Sequence, residues 1–151
     1  MLENTRIVLV NTSHPGNIGA AARAMKTMEL SRLYLVNPKR YPDAEATARA
    51  SGADDLLAQA TVCSDLETAI AGCQLVMGAS ARSRRIPCPI IDPASCAHQA
   101  VAESGQGEVA ILFGCEQSGL SNAEIDRCQS LVQIPTNPVY GSLNLASAVQ
   151  I

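Results

Sequence analysis

Aromatic residues, long apolar runs and closely paired cysteines are all scarce in this sequence. Aromatic side chains make up 3% of the 151 residues and tryptophan is absent, whereas hydrophobic residues reach 47%. We therefore expect one domain with a core of small aliphatic side chains. No apolar run is long enough to cross a bilayer, and the first residues do not resemble a secretory signal. These absences predict a cytoplasmic protein that does not enter membranes.

The six cysteines are spaced too widely for a common metal or disulfide motif. No two are closer than eight residues, and no C-x-x-C pair or neighbouring histidine completes a zinc site. We therefore expect no bound metal, and we expect reduced, buried thiols that pack as small apolar side chains at Cys63, Cys73, Cys88, Cys96, Cys115 and Cys128.

Cations are few in this sequence, and most of them are clustered. The net charge of -3 argues against general adhesion to nucleic acid. Even so, eight of the eleven Lys and Arg residues lie in two short segments. These eight are Arg23, Lys26, Arg32, Lys39 and Arg40 in the first segment, and Arg82, Arg84 and Arg85 in the second. Two interpretations stay open: a basic patch, if the segments meet in the fold, or ordinary solvated charges.

Short, continuous apolar runs alternate with helical patterns along the chain. Such runs are typical of strands buried on both faces of a parallel sheet. They occupy residues 6–10, 32–36, 74–78, 109–114 and 131–134, with a weaker run at 60–63. The helical patterns occupy residues 16–28, 43–51, 65–73, 92–104 and 121–128, with a last helix from residue 142. This alternation predicts a three-layer α/β domain.

Several helix boundaries follow from local residue types. We expect Ser64 to cap the third helix, with Glu67 completing a capping box, and Ser142 to cap the last one. The last helix stops after about two and a half turns without a cap, so we expect the natural chain to continue. One face of the first helix should be buried, and it comprises Ile18, Ala21, Ala22, Met25 and Met28.

Four polar loops follow predicted strand ends, where ligands bind in open α/β sheets. They are "NTSHPGNIGAAAR", "ASARSRR", "GCEQSGLSN" and "PTNPVYGSLN". The first lacks the G-x-G-x-x-G pattern of dinucleotide sites, and the chain has no nucleoside-triphosphate loop. Its helix start, with Arg23 and Lys26 off the apolar face, would suit an anion such as an RNA phosphate. An ordinary exposed arginine at position 23 is the alternative.

Two further features of these loops are suggestive. Glu116 follows a strand directly within a glycine-bracketed loop, where a chemical role and a loop-stabilising role are both open. In the last loop, Pro135 and Pro138 restrict the backbone, and Gly141 would permit a positive φ. The two histidines, His14 and His98, have no nucleophile in a suitable sequence around them.

Together the loops resemble the three signature motifs of the SPOUT superfamily, in its SpoU/TrmH branch of RNA ribose 2′-O-methyltransferases. An N-x-G-x-x-x-R motif is matched by Asn17, Gly19 and Arg23. A G-x-E-x-x-G-L motif after an apolar strand is matched by Gly114, Glu116, Gly119 and Leu120. A final I-P and S-L-N motif is matched by Ile134, Pro135, Ser142, Leu143 and Asn144. The first loop and "SARSR" look most like the TrmJ-type enzymes, which usually carry arginines where Cys115 and Gln117 stand.

The resemblance implies a three-layer α/β/α domain over residues 1–151, with a mostly parallel sheet and a C-terminal trefoil knot. It also implies a homodimer with the active site at the interface, and the C-terminal extension of such enzymes is expected to be absent. The implied cofactor is S-adenosylmethionine and the implied partner is tRNA. By motif matching, the cofactor-binding residues are Ala79, Ser80, Ala81, Gly114, Ile134, Gly141, Ser142 and Leu143.

The implied reaction is 2′-O-methylation of a cytidine or uridine ribose in the tRNA anticodon loop, at nucleotide 32. The implied catalytic residues are Arg23, Asn17, Glu116 and Asn144, and the implied RNA-binding residues are Arg23, Lys26, Arg82, Arg84 and Arg85. Arginine stays protonated, so Arg23 would bind a phosphate and stabilise the developing alkoxide, while Glu116 would brace the pocket. The alternatives are a non-catalytic RNA-binding module of the same fold and a different nucleotide-using α/β enzyme.

Overall fold

A computed structural model describes residues 2–80 and 88–151 of the chain. The strands are β1 (Thr5–Val10), β2 (Arg32–Val36), β3 (Thr61–Cys63), β4 (Cys73–Ala79), β5 (Ile90–Ile91), β6 (Glu108–Phe113) and β7 (Ser130–Val132). The helices are α1 (Pro15–Thr27), α2 (Ala44–Ala50), α3 (Asp54–Ala58), α4 (Leu66–Ala69), α5 (Pro93–Ser104), α6 (Asn122–Ile125) and α7 (Leu145–Gln150), after a short 3-10 turn at Leu2–Asn4.

The described strands form one sheet in the order β3-β2-β1-β6-β4-β7-β5. All six neighbouring pairs are parallel. The predicted α/β class with a mostly parallel sheet is therefore confirmed. Because parallel strands end at the same edge, the loops after β1, β6 and β7 lie close to one another and to the end of β4.

Helices cover both faces of this sheet. On one face, Ile7 and Leu9 of β1 pack with Ile18 and Met25 of α1, and the same cluster includes residues of α2, α3 and α7. On the other face, Val8 and Val10 join a cluster that includes residues of α4 and α6. Alternate residues of β1 thus point into two cores, which explains why its sequence is continuously apolar. The three-layer arrangement is confirmed.

Three local predictions were wrong. Asp65, not Ser64, caps α4, because its carboxylate accepts a hydrogen bond from the Thr68 backbone N–H at 2.8 Å. Asn144, not Ser142, caps α7 through the Ala146 backbone N–H at 2.9 Å. Met28 lies beyond the end of α1 and is 51% exposed, whereas the rest of the predicted apolar face is fully buried.

The structure also bears on the expectations about the thiols, membrane-spanning helices and metal ligands. All six cysteines are free thiols; Cys63, Cys96 and Cys128 are buried as expected, whereas the expectation was wrong for the partly exposed Cys73, Cys88 and Cys115. Burial raises the pKa of Cys96 to about 11 and that of Cys128 to about 12. Within residues 2–80 and 88–151, no helix combines the length and apolarity needed to cross a membrane. The same residues contain no cluster of three or more His, Cys, Asp or Glu side chains that could hold a metal.

Candidate functional site

One cavity of about 700 Å³ opens where the loops after β1, β6 and β7 meet the end of β4. Its walls are the end of β4, the whole loop from Gly114 to Leu120, the segment between β7 and α7, and the start of α1. This size lies within the range of small-molecule and cofactor pockets. The carboxyl edge of the sheet therefore carries a concave site to which all three sequence motifs contribute.

Most of the residues predicted from the motifs line this cavity. The predicted cofactor-binding residues found there are Ala79, Ser80, Gly114, Ile134, Gly141, Ser142 and Leu143. The predicted catalytic residues found there are Asn17, Glu116 and Asn144. Ala81, Arg82, Arg84 and Arg85 lie outside the described residues. Arg23 does not line the cavity, and its side chain is exposed on α1.

Glu116 reaches across from the loop after β6 to the amino end of α1. Its carboxylate accepts hydrogen bonds from the backbone N–H groups of Ser13 at 3.0 Å and His14 at 2.9 Å. It also accepts one from the Asn17 side-chain amide at 2.9 Å. Burial opposes ionisation of this carboxylate, but the three donors outweigh that effect and lower the pKa of Glu116 to about 2.

This contact changes the interpretation of the first loop. From the sequence, the start of α1 was expected to offer free N–H groups to an external anion such as an RNA phosphate. The N–H groups of Ser13 and His14 instead bind the protein's own carboxylate. A phosphate placed at the same donors would meet the negative charge of Glu116, so that expectation was wrong for the helix start.

Asn17 and Asn144 extend the connection from Glu116 to the last helix. The Asn144 side-chain NH₂ group donates to the side-chain oxygen Oδ1 of Asn17 at 3.4 Å, which is a long contact. The Asn144 Oδ1 atom in turn caps α7 by accepting from the Ala146 backbone N–H. The Asn17 amide donates in turn to Glu116. A single chain of side-chain hydrogen bonds thus links the three motif loops and fixes the directions in which the two amides point.

Two motif glycines are required by close backbone packing. A Cβ on Gly19 would lie 2.0 Å from the Ala46 carbonyl oxygen, so the absence of a side chain lets α1 pack closely against α2. A Cβ on Gly114 would lie 2.1 Å from the carbonyl carbon of Gly119, because the loop folds back on itself there. Gly119 has φ +69°, a conformation that favours glycine. These glycines shape the site by letting backbone segments approach each other closely.

Gly141 has a different role from the one expected. Its φ is not among the positive values of the described backbone. A Cβ there would lie 2.8 Å from Thr136 Oγ1 and 3.0 Å from the Asn137 carbonyl oxygen. The glycine is therefore needed because two parts of the last loop approach each other closely, not because the turn has a left-handed conformation.

Cys115 places a thiol on the cavity wall. Its Sγ lies 3.0 Å from the Ser118 hydroxyl. Hydrogen bonding to the Ser118 side chain is the largest cause of a lowered pKa for this thiol, with support from nearby backbone groups. Cys115 therefore forms a thiolate more easily than the buried Cys96 or Cys128.

Several cations of the first basic segment are paired with carboxylates of the protein itself. Arg32, at the start of β2, pairs with Glu108 and donates to the Tyr34 hydroxyl at 2.8 Å. Lys26 pairs with Asp55 at 2.9 Å, and Arg40 contacts Asp43 at 3.5 Å. Three of the five cations in this segment are therefore paired with carboxylates. Of its members, Arg23 and Lys39 make no ion pair in the part of the chain that the structure describes.

Some cavity residues carried no sequence signal. The apolar ones belong to strand ends or helix faces and look like ordinary core residues in the sequence; they are Phe113, Val132, Leu145 and Ala148. Thr136 and Pro138 also line the cavity. Only their position between the I-P and S-L-N parts of the third motif could have indicated it.

Comparison with known proteins gives consistent matches over almost the whole chain. A model of the SpoU rRNA Methylase family matches residues 4–151. The chain is 57% identical over 152 residues to the tRNA (cytidine/uridine/adenosine-2′-O-)-methyltransferase TrmJ of Pseudomonas aeruginosa (strain UCBPP-PA14). That match covers 100% of this chain and 59% of the relative. Other curated relatives it matches are covered to 59–63% of their length.

Solved structures agree with this match. A probable methylase family protein from Haemophilus influenzae Rd KW20 has a TM-score of 0.94 and 49% identity, covering 99% of this chain and 63% of that one. TrmJ from Z. mobilis ZM4 has a TM-score of 0.91 and 37% identity, with 97% and 65% covered. An AdoMet-bound rRNA methyltransferase from Sinorhizobium meliloti shares the fold, with a TM-score of 0.74 and 24% identity, covering 97% of this chain and 53% of that one. On the family match and the identity of these relatives, the chain belongs to the SpoU rRNA methylase family.

Proposed function

We propose that residues 1–151 form a methyltransferase domain that uses S-adenosylmethionine to methylate a ribose 2′-oxygen in the tRNA anticodon loop, on cytidine or uridine 32. The convergence of all three motif loops on one cavity is the observation that carries this proposal. The Pseudomonas aeruginosa relative is named as a tRNA 2′-O-methyltransferase, which supports a tRNA substrate. Because the chain spans about three fifths of that relative, the substrate and partners of the whole protein belong to the proposal.

The residues around the cavity fit S-adenosylmethionine. Ile134 and Leu143 offer apolar surface for an adenine ring, and Ser80 and Ser142 bring polar groups to the same wall. The ionised Glu116 suits a ligand that carries positive charge. When bound, this cofactor would supply an activated sulfonium methyl group for in-line transfer to an oxygen, with the neutral thioether as the leaving group. The chain's own contribution is to hold the reactants in register and to exclude water.

Glu116 acts in this proposal as a brace and not as a general base. A carboxylate with a pKa of about 2 has little affinity for a proton at neutral pH. Its three hydrogen bonds hold the first motif loop against the second, and they orient the Asn17 amide. Asn17 and Asn144 then present amide groups to the ribose from fixed positions at the cavity wall.

Arg23 acts on the cavity of a second copy of the chain. It is exposed on α1, does not line the cavity of its own chain and makes no ion pair within the described residues. In a homodimer whose active site lies at the interface, its guanidinium would bind a phosphate beside the target ribose. Since arginine stays protonated, it would stabilise the developing alkoxide electrostatically and would not remove the proton.

The remaining RNA contacts come from Arg82, Arg84 and Arg85, with Lys26 contributing from α1. The three arginines directly follow the cavity residues Ala79 and Ser80 in the sequence, which favours contacts to the RNA backbone next to the reacting ribose.

The trefoil knot also belongs to the proposal. The position of β7 between the earlier strands β4 and β5 is compatible with it.

A non-catalytic RNA-binding module is the second candidate. Cys115 and Gln117 line the cavity where TrmJ-type enzymes usually carry arginines, so two cations are missing beside the proposed RNA. Calorimetric titration with S-adenosylmethionine, NAD and ATP, followed by a methyl-transfer assay on unmodified tRNA, separates the alternatives. The proposal expects binding of S-adenosylmethionine and methyl transfer. Binding without transfer would favour the module, and binding of NAD or ATP alone would indicate a different enzyme.

A further inference from the structure

The loop between β7 and α7 carries the one strongly exposed aromatic ring of the chain. Only four aromatic residues occur in the sequence, and all lie in the described parts. Phe113 is buried, and Tyr34 and Tyr41 are partly buried, whereas Tyr140 is 83% exposed. In a chain so poor in aromatic residues, a ring held in water calls for a binding role more than a packing role.

The loop holds the backbone at this ring in a defined turn. The Asn137 side-chain oxygen accepts hydrogen bonds from the backbone N–H groups of Val139 at 2.8 Å and Tyr140 at 3.3 Å. This turn is closed further by the tight approach of Gly141 to Thr136 and Asn137. The backbone that carries the ring is therefore preorganised, and binding has to order only the tyrosine side chain.

The ring stands at the rim of the cavity. Pro138 and Gly141, on either side of Val139 and Tyr140 along the chain, both line the cavity, whereas Tyr140 itself does not. A substrate whose reacting group enters the cavity would therefore have its neighbouring parts close to Tyr140. In a single-stranded RNA loop, those parts include unpaired bases.

We propose that Tyr140 is a stacking platform for an unpaired nucleobase of the RNA substrate, next to the ribose that enters the cavity. This inference rests on the proposed function and adds the element that grips a base. An aromatic face stacks on any nucleobase, and the tyrosine hydroxyl remains in water during stacking. A second copy of the chain is the competing occupant of the ring. Tyr140 lies beside the cavity, on a turn whose residues Pro138 and Gly141 line it, and this position favours the nucleobase over a second copy.

The test is a set of Tyr140 variants, measured for tRNA binding and for methyl transfer. Tyr140→Ala is expected to weaken tRNA binding and to raise KM for tRNA by about 5- to 100-fold, the usual effect of losing one base–aromatic stack. Tyr140→Phe and Tyr140→Trp should restore both, since each keeps a ring face. Calorimetry should give an unchanged Kd for S-adenosylmethionine. Val62→Ala is the matched control, because it trims a 55% exposed apolar side chain on strand β3 that does not line the cavity.

Two results would overturn the inference. One is tRNA binding by Tyr140→Ala equal to that of the parent protein. The other is loss of dimer mass in sedimentation, with tRNA affinity falling only as the dimer dissociates, which would assign the ring to a second copy. If the proposed function is wrong, the unmutated protein itself will transfer no methyl group, and this result is distinct from the two above. The tRNA-binding arm does not need turnover, so it still decides the role of Tyr140.

Discussion

The carboxylate of Glu116 accepts a 2.9 Å hydrogen bond from the side-chain amide of Asn17, although 99 residues separate them. Glu116 also binds the backbone N–H groups of Ser13 and His14 just before Asn17, so it closes the amino end of α1. A loop that looked from its sequence like an anion site is thereby filled from within the protein. The first motif loop is therefore held in place as one wall of the cavity, and the hydrogen bond to Glu116 sets the orientation of the Asn17 amide that faces a substrate.

Replacing Glu116 tests this brace. In Glu116→Gln, one oxygen becomes an NH₂ group that faces N–H donors, and the charge is lost. We expect unfolding in urea at pH 7 to require about 1.5–3 kcal/mol less free energy than in the parent. The folded-state pKa of Glu116 lies below its ordinary 4.5, at about 2, so its stabilisation is present above about pH 4.5 and is lost as the pH falls towards 2.

The difference in stability between parent and Glu116→Gln should therefore shrink across that pH range. Glu45→Gln, at an exposed position on α2, serves as the control and should change stability little at any pH. A stability difference for Glu116→Gln that stays constant from pH 7 to pH 2 would contradict the brace. The same variant should leave the pH dependence of methyl transfer above pH 6 unchanged in shape, because Glu116 is not a general base.

Gly19 offers a test of how α1 is positioned. A Cβ at Gly19 would lie 2.0 Å from the Ala46 backbone oxygen, so Gly19→Ala must push α1 away from α2. We expect Gly19→Ala to lower the free energy of unfolding by about 1–3 kcal/mol, as overpacking does. Gly16→Ala on the same helix is the matched control, since its nearest neighbours are the side chains of Glu45 and Arg49 at 3.3 and 3.4 Å.

Those two neighbouring side chains are exposed and can move, so Gly16→Ala should change stability by less than about 0.5 kcal/mol. Chemical denaturation of the two variants side by side provides the measurement. Equal losses in both would contradict the claim that the contact between α1 and the Ala46 backbone causes the loss in Gly19→Ala.

The thiol of Cys115 should react faster than the buried thiols. Hydrogen bonding from Ser118 lowers its pKa, whereas burial raises the pKa of Cys96 to about 11 and that of Cys128 to about 12. Mass spectrometry after brief treatment with iodoacetamide should find Cys115 alkylated well before Cys96 or Cys128. Ser118→Ala should slow the reaction at Cys115 only. Similar rates at all three positions would refute this assignment of pKa values.

Subunit complementation tests the placement of Arg23. Arg23→Ala should abolish methyl transfer and leave stability and the Kd for S-adenosylmethionine nearly unchanged, because the side chain is exposed. Gly114→Ala should distort the cavity loop and also be inactive. If Arg23 serves the cavity of its partner, random mixing of the two variants rebuilds one intact site in each mixed dimer, about a quarter of the normal number.

A protein that carries both substitutions on one chain is the control for that mixture. When this double variant is mixed with the parent protein, the mixed dimers should contain no intact site, because the double variant supplies neither a normal cavity loop nor Arg23. Activity that stays absent after mixing and exchange of subunits would place Arg23 at the cavity of its own chain, or outside catalysis altogether.

The regular elements could be predicted from the sequence because they depend on local patterns. Buried strands such as β1 and β6 read as continuous apolar runs, and their ends were expected within one residue of where they lie. Cap positions were harder where two suitable residues stand close together. Asp65 beside Ser64, and Asn144 two residues after Ser142, are equally good caps by type, and only the folded chain selects one.

The contacts that shape the site could not be predicted in the same way. Strand β5 has two residues and is defined by its pairing with β7, about 40 residues further along the chain. The partners of Glu116 lie about 100 residues before it, and nothing local distinguishes a carboxylate that braces a helix from one that does chemistry. The role of Gly141 depended on the path of a loop around Thr136, which residue types do not specify.

The most direct test of the central claim is methyl transfer mapped to the nucleotide. The protein is incubated with labelled S-adenosylmethionine and unmodified tRNA, and the modified ribose is located by mass spectrometry of nuclease fragments. A tRNA that already carries a 2′-O-methyl group at nucleotide 32 is the control. The account predicts one new 2′-O-methyl group at cytidine or uridine 32, none on the control tRNA and none with Arg23→Ala. Tight binding of the cofactor with no methyl transfer to any tRNA would contradict it.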